Sequence, residues 1–163
     1  MTEQATRGAR AESLAARFEQ VNAEVIATVE GLTEAQWAAT TPEERWTVAV
    51  TAHHVATAYP PITRIVEKVI AGGTLPNFRE GLDERNQRHA QEFATCDRQE
   101  TLALLRDNGA RAAAFLRGLD DAQLERSAEL FGCLWSASDV VERILLGHPR
   151  NHLASIQRAT SGD

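Results

Sequence analysis

The chain has 163 residues, 43% of them hydrophobic and 25% charged, and a formal net charge of -6 at pH 7. This length and composition predict one globular domain with a sizeable core, and the negative charge argues against nucleic acid or an anionic membrane as the main partner. Because the first thirty residues contain no secretory signal and no apolar run could span a bilayer, we expect a cytoplasmic protein.

The first predicted helix runs from Ala11 to Glu30. Its apolar residues recur in steps of three and four, as is typical of a bundle helix; they are Leu14, Phe18, Val21, Val25, Val29 and Leu32. The polar residues 1–10 and 160–163 are predicted to be disordered at the two ends of a single domain spanning 11–159.

The second predicted helix begins after Thr47, a plausible N-cap, and stops near Ala71 at a pair of glycines. Two adjacent histidines lie in it, and helical geometry separates them by about 100°. On this projection His53 points to solvent and is replaceable, whereas His54 lies at the edge of the apolar arc and faces the interior. Pro60 and Pro61 predict a kink just after the histidines.

Residues 72–82 have the composition of a loop, and a third helical region begins near Asp83. Asp97 followed by Glu100 is a capping-box pattern, which predicts a break and a restart before a helix that ends at Gly118. His89 has no apolar stripe of its own and is expected at the surface or at the rim of a pocket. Cys96 and Cys133 fit no metal or redox spacing and are expected to be reduced structural thiols.

The fourth predicted helix is capped by Ser136 or Ser138 and reaches about Ala159. No strand or hairpin signal precedes it, so the fold class predicted is all-α, a four-helix bundle. Leu146 and Leu153 project between the apolar and polar arcs of this helix. This apolar surface is wider than one bundle core needs, and we therefore expect a homodimer.

His148 and His152 lie four residues apart on the apolar side of the fourth helix, which is a suitable spacing for two ligands of one metal ion. The pair alone could equally be two hydrogen-bonded core histidines. Because His54 faces the same interior, a three-histidine site for a divalent metal, with open coordination positions, is favoured. Pro149 removes a backbone donor between the two histidines and could alter their spacing.

Several motifs together resemble the DinB-like four-helix bundle superfamily. Trp46-Thr47-Val48 followed by His54 is similar to its second-helix signature, and Gly147-His148 with His152 and Ile156 is similar to its fourth-helix signature. The Gly72-Gly73 loop, Asn86 and the segment 119–124 also fit in position. The resemblance implies an up-up-down-down style bundle, often homodimeric, in which three histidines hold zinc or nickel. Some relatives are S-transferases or isomerases that use mycothiol or bacillithiol.

An enzyme that activates a small thiol for transfer to an electrophile is the leading hypothesis for function. A lone lysine, Lys68, among many arginines suggests a GC-rich bacterial genome and so favours mycothiol as the thiol. A metal-dependent hydrolase would use the same site, but no carboxylate lies securely on the inward arc and Glu142 is only at its edge. The alternative from another class is a non-enzymatic dimeric module that binds a metal or a small ligand.

Overall fold

The computed structural model describes residues 8–161. Eight α-helices and one two-stranded hairpin follow one another in these residues. In chain order they are α1 (Ala9–Gly31), α2 (Glu34–Ala38), α3 (Val48–Ala71), α4 (Leu82–Glu92), α5 (Arg98–Arg117), α6 (Asp121–Glu125), β1 (Ser127–Leu130), β2 (Cys133–Ser136), α7 (Ala137–Val140) and α8 (Gly147–Thr160), with a π-helical turn (Val141–Leu145) between α7 and α8.

Four helical segments build the bundle, which confirms the predicted fold class. α5 packs against α1 and α3, and α8 also packs against both, so α1 and α3 lie diagonally across the core. Phe18 of α1 meets Tyr59 of α3 edge to face in the middle, with ring centroids 4.9 Å apart. All the apolar residues predicted to line α1 are buried, because steps of three and four keep them on one face.

Local capping sets most helix boundaries. The side chains of Thr33, Thr47, Asp97 and Ser136 each accept a hydrogen bond from the backbone amide three residues later, so the N-caps predicted at Thr47, Asp97 and Ser136 are confirmed. At Asp97 the side chain of Glu100 does not complete the predicted capping box. Ala9 and Arg10 are helical, although they fall in the segment predicted to be disordered, and Thr160 closes α8. The predictions for residues 1–7 and 162–163 lie outside the described residues.

The hairpin between α6 and α7 corrects the prediction that no strands are present. Ser127–Leu130 pairs antiparallel with Cys133–Ser136. The two turn residues, Phe131 and Gly132, have φ angles of 56° and 78°, which is the left-handed geometry of a tight two-residue hairpin turn. The sequence lacks the usual Asn-Gly signal, and β2 is too exposed to show strand alternation: the side chain of Leu134 is 76% exposed.

Tandem prolines lie within α3 without ending it. Pro60 has no amide proton, so the carbonyl of Ala56 loses its helical donor. Asn108 of α5 replaces that donor, with its Nδ2 2.8 Å from the Ala56 oxygen. The freed backbone acceptor is therefore satisfied from a neighbouring helix.

A π-helical turn immediately precedes α8. The amide of Leu146 donates to the carbonyl of Val141, five residues back, at 2.9 Å, and the extra residue rotates the chain relative to an ideal helix. Pro149 consequently falls in the first turn of α8, where an amide proton is not needed. His148 and His152 share one regular helix, and Pro149 does not break it.

The burial of two leucines removes the reasoning behind the expected homodimer, which itself stays a prediction. Leu146 is completely buried and Leu153 is 6% exposed within the single chain, so they form no surplus apolar surface.

The two free cysteines differ in exposure: Cys96 is half-buried and Cys133 is exposed. Among the described residues, no helix is both long and apolar enough to cross a membrane.

Candidate metal centre

Three histidines from two helices converge at one end of the interface between α3 and α8. One ring nitrogen from each of His54, His148 and His152 lies within 4.8 Å of the others. The Nε2 atoms of His54 and His148 are 3.0 Å apart, and the ring centroids of His148 and His152 are 4.4 Å apart. The structure therefore brings together the three residues that helical periodicity selects from the sequence.

Burial keeps two of these imidazoles, those of His54 and His148, neutral. It lowers the pKa of His54 to about 3, with further lowering by the neighbouring His152 and His89, although Glu44 acts in the opposite direction. Burial also holds the pKa of His148 well below its ordinary value, and His152 and His54 add to that effect. A neutral imidazole presents a lone pair, which is the form that ligates a metal.

A carboxylate that sequence reasoning did not assign to the site supports His152. Oε1 of Glu44 lies 2.6 Å from Nδ1 of His152, and both side chains are mostly buried, at 13% and 16% exposure. Burial raises the pKa of Glu44, but hydrogen bonds, first of all from Ser155, outweigh it and leave that pKa below the ordinary value. Glu142, which the sequence placed at the edge of the inward arc, is exposed and bonds instead to Arg17.

His53 is buried, which corrects the prediction that it is solvent-facing. Only 6% of it is exposed, because α4 covers this part of α3. Its Nδ1 lies 3.2 Å from Nε2 of His89, and its ring stacks on Phe93 with centroids 4.1 Å apart. Burial lowers the pKa of His53 to about 4, and the charge of His89 adds to this.

His89 lies at the rim of the histidine cluster, one of the two positions that the sequence allowed. It is half-buried, and its ring centroid is 5.3 Å from that of His54. Trp46 approaches His54 edge to face at the same distance, 5.3 Å. The three histidines are therefore flanked by an aromatic side chain, Trp46, and by a fourth histidine, His89.

The donor set fits a divalent transition metal. Three imidazoles within joint reach of one point form an open set, since a closed structural zinc site has four protein ligands. Among the described residues no carboxylate or thiol joins the three histidines as a fourth candidate ligand. If an ion binds, coordination positions remain for a water or a substrate atom.

Comparisons with known proteins agree with this fold. A family model described as the DinB superfamily matches residues 17–156. No curated protein matches the chain. A solved structure, YfiT from Bacillus subtilis, is similar with a TM-score of 0.72 and 21% sequence identity, over 99% of this chain and 89% of that one. YfiT is described as a probable metal-dependent hydrolase with an unusual four-helix bundle topology.

Proposed function

Since the chain belongs to the DinB superfamily, we propose that it is an enzyme that depends on a divalent metal held by His54, His148 and His152. The observation that carries this proposal is the convergence of three imidazoles on one point, two of them held neutral by burial. An ion bound there would lower the pKa of a water or a thiol in its open position and so supply a nucleophile at neutral pH. Zinc and nickel both suit an imidazole set.

Transfer of a small thiol to an electrophile is the reaction class we favour. In this transfer the thiol loses its proton to solvent, its sulfur forms a bond to an electrophilic carbon, and a leaving group departs with the electron pair of the broken bond. Such a step needs no protein base once the thiol is activated. Among the described residues Glu44 is the one carboxylate that is hydrogen-bonded to the three histidines, and its lowered pKa makes it a poor proton acceptor. Mycothiol is the thiol to test first. Arginine dominates the basic residues, which suggests a GC-rich bacterial genome, and such a genome favours mycothiol as the cellular thiol.

Hydrolysis is the second candidate, and a specific observation favours it. The structurally similar YfiT is described as a probable metal-dependent hydrolase. The same three histidines would serve a water nucleophile, and His89 is near enough to the cluster to contact a substrate. The two candidates differ in what an assay would detect: transfer consumes a thiol, whereas hydrolysis cleaves an ester or amide bond with water.

The test begins with the metal. Purified protein is metal-loaded and analysed for elements, and affinities for Zn²⁺ and Ni²⁺ are measured for the wild type, His148→Ala and His152→Ala. We expect about one ion per chain in the wild type and greatly weakened binding in both variants. The protein is then assayed for loss of mycothiol against a panel of electrophiles, and for hydrolysis of esters and amides, each with and without chelator.

Thiol loss that depends on the metal supports transfer, whereas metal-dependent hydrolysis without thiol loss supports the second candidate. Binding of metal without either activity would favour a non-enzymatic binding module. No bound metal in protein purified and reconstituted under reducing conditions would overturn the proposal. In each case His148→Ala serves as the inactive control, because it removes a ligand while the apolar bundle core is unchanged.

A further inference from the structure

The loop between α2 and α3 carries Glu44 to the three histidines. The loop is closed at its base, where Thr40 and Thr47 form an isolated bridge and the amide of Thr41 donates to the carbonyl of Trp46 at 2.8 Å. Arg45 has a φ of 62°, a left-handed conformation that is uncommon for a residue with a side chain. Such strained backbone positions persist where the surrounding structure holds them. Arg45 directly follows Glu44, so the backbone beside Glu44 is held in one conformation.

Both oxygens of the Glu44 carboxylate bond to the same face of α8. Oε1 lies 2.6 Å from Nδ1 of His152, and Oε2 lies 2.5 Å from the hydroxyl of Ser155. The two partners are three residues apart, so they are neighbours on the helix surface. A carboxylate only accepts hydrogen bonds, and Nδ1 of His152 must therefore carry the proton. In the neutral ring the other nitrogen, Nε2, then keeps its lone pair.

We propose that Glu44 is a positioning residue that fixes His152 in the tautomer with a free Nε2, oriented for metal ligation. This inference rests on the proposed metal site and concerns a difference among its three histidines. Among the described residues, Nδ1 of His148 is buried without a hydrogen-bond partner, and the hydrogen bond of the His54 ring is to His148. His152 is thus the one member of the three with a carboxylate behind it. Carboxylates in this position orient the ring and raise its basicity as a ligand.

The neighbouring Glu43 provides a matched control. It lies in the same loop and carries the same charge, but it is exposed and its carboxylate bonds to Ser155 and Arg158. It has no contact with a histidine ring. Glu43 and Glu44 share the one hydroxyl of Ser155. Replacing Glu43 therefore changes the charge of the loop and one partner of that hydroxyl, but it leaves the carboxylate that contacts His152 in place.

The experiment compares Glu44→Ala, Glu44→Gln and Glu43→Gln with the wild type by titration of Zn²⁺ into metal-free protein. We expect Glu44→Ala to bind Zn²⁺ about 10–100-fold more weakly, because the loss of a carboxylate that orients a histidine ligand usually weakens metal binding by this factor. Glu44→Gln retains the shape and one acceptor oxygen, so an intermediate loss is expected, and it also covers the case in which the alanine variant folds poorly. Glu43→Gln should remain within about twofold of the wild type, since its carboxylate makes no contact with the ligands.

A second readout does not depend on metal. Nitrogen-15 NMR of the histidine rings in metal-free protein reports which ring nitrogen carries the proton, with His152→Ala used to assign the resonance. We expect His152 to be the Nδ1–H tautomer in the wild type and a mixture of tautomers in Glu44→Ala. Nε2–H in the wild type, or Zn²⁺ affinity unchanged in Glu44→Ala, would overturn the inference. If the wild type binds no metal yet shows the predicted tautomer, the proposed function fails while the positioning by Glu44 stands.

Discussion

Replacing His53 separates stability from metal binding, because this residue is next to His54 in the chain but has different partners. In His53→Ala the hydrogen bond to His89 is lost, worth about 1 kcal/mol, and the stack on Phe93 is lost, worth about 0.5–1.5 kcal/mol. The side chain is 6% exposed, so its removal also leaves a cavity. The free energy of unfolding should fall by roughly 2–3 kcal/mol, which in a domain of this size lowers Tm by about 5–10 °C.

Metal affinity should be insensitive to His53 and should depend on His54. His53 is not one of the three convergent histidines, so we expect His53→Ala to bind Ni²⁺ within about threefold of the wild type. His54→Ala removes a ligand, and its affinity should fall by at least about 100-fold, since loss of an outer partner alone costs 10–100-fold. The assays are thermal unfolding in chelator and calorimetric titration with Ni²⁺. Abolished binding in His53→Ala with binding retained in His54→Ala would show that the ligand is the other member of the pair.

Three further predictions concern the core, the metal and pH. An added Cβ in Gly109→Ala would lie 2.2 Å from Nδ2 of the buried Asn22, so we expect a loss of about 2–4 kcal/mol in denaturant unfolding; a neutral effect would contradict this packing. His152→Ala, or chelator added to the wild type, should abolish activity but lower Tm by less than about 5 °C, because the apolar core remains; collapse of the fold on chelation would indicate a structural metal. The pKa of His53 falls to about 4 on folding, so the unfolded chain binds the proton more tightly. Stability of the metal-free protein should therefore be full above pH 6.5 and decline toward pH 4, by up to about 1.4 kcal/mol per pH unit from this group, and a His53→Gln variant should show a shallower decline in urea titrations.

Hydrophobic periodicity and capping chemistry were sufficient to predict the bundle. The apolar stripe of α1, the N-caps at Thr47, Asp97 and Ser136, and the stop at Gly118 depend on residues close together in the chain. Short-range rules therefore decide them. The hairpin was missed for a related reason. Its turn is Phe131-Gly132, and a phenylalanine in the left-handed region is not a residue that turn preferences suggest.

The misassignment of His53 has a longer-range cause. A helical projection of α3 shows which residues face the other long helices, and His53 does not face them. It is buried by α4, a short helix with no buried residue of its own. Such a helix has no apolar stripe from which its docking could be predicted. His53 is covered through His89 and Phe93, and the local sequence of α3 contains no sign of either contact.

The π-helical turn explains why a helical projection placed His148 and His152 on one side correctly but misplaced Leu146. A helical projection assumes a constant rotation per residue. The turn at Val141–Leu145 breaks that assumption on the N-terminal side of His148, so Leu146 rotates into the core, while His148 and His152 remain one regular turn apart in α8. The ligand candidates could be found because each lies on a regular helix. Glu44 lies in an aperiodic loop held by a strained residue, so the sequence could identify the three histidines but not the carboxylate that orients one of them.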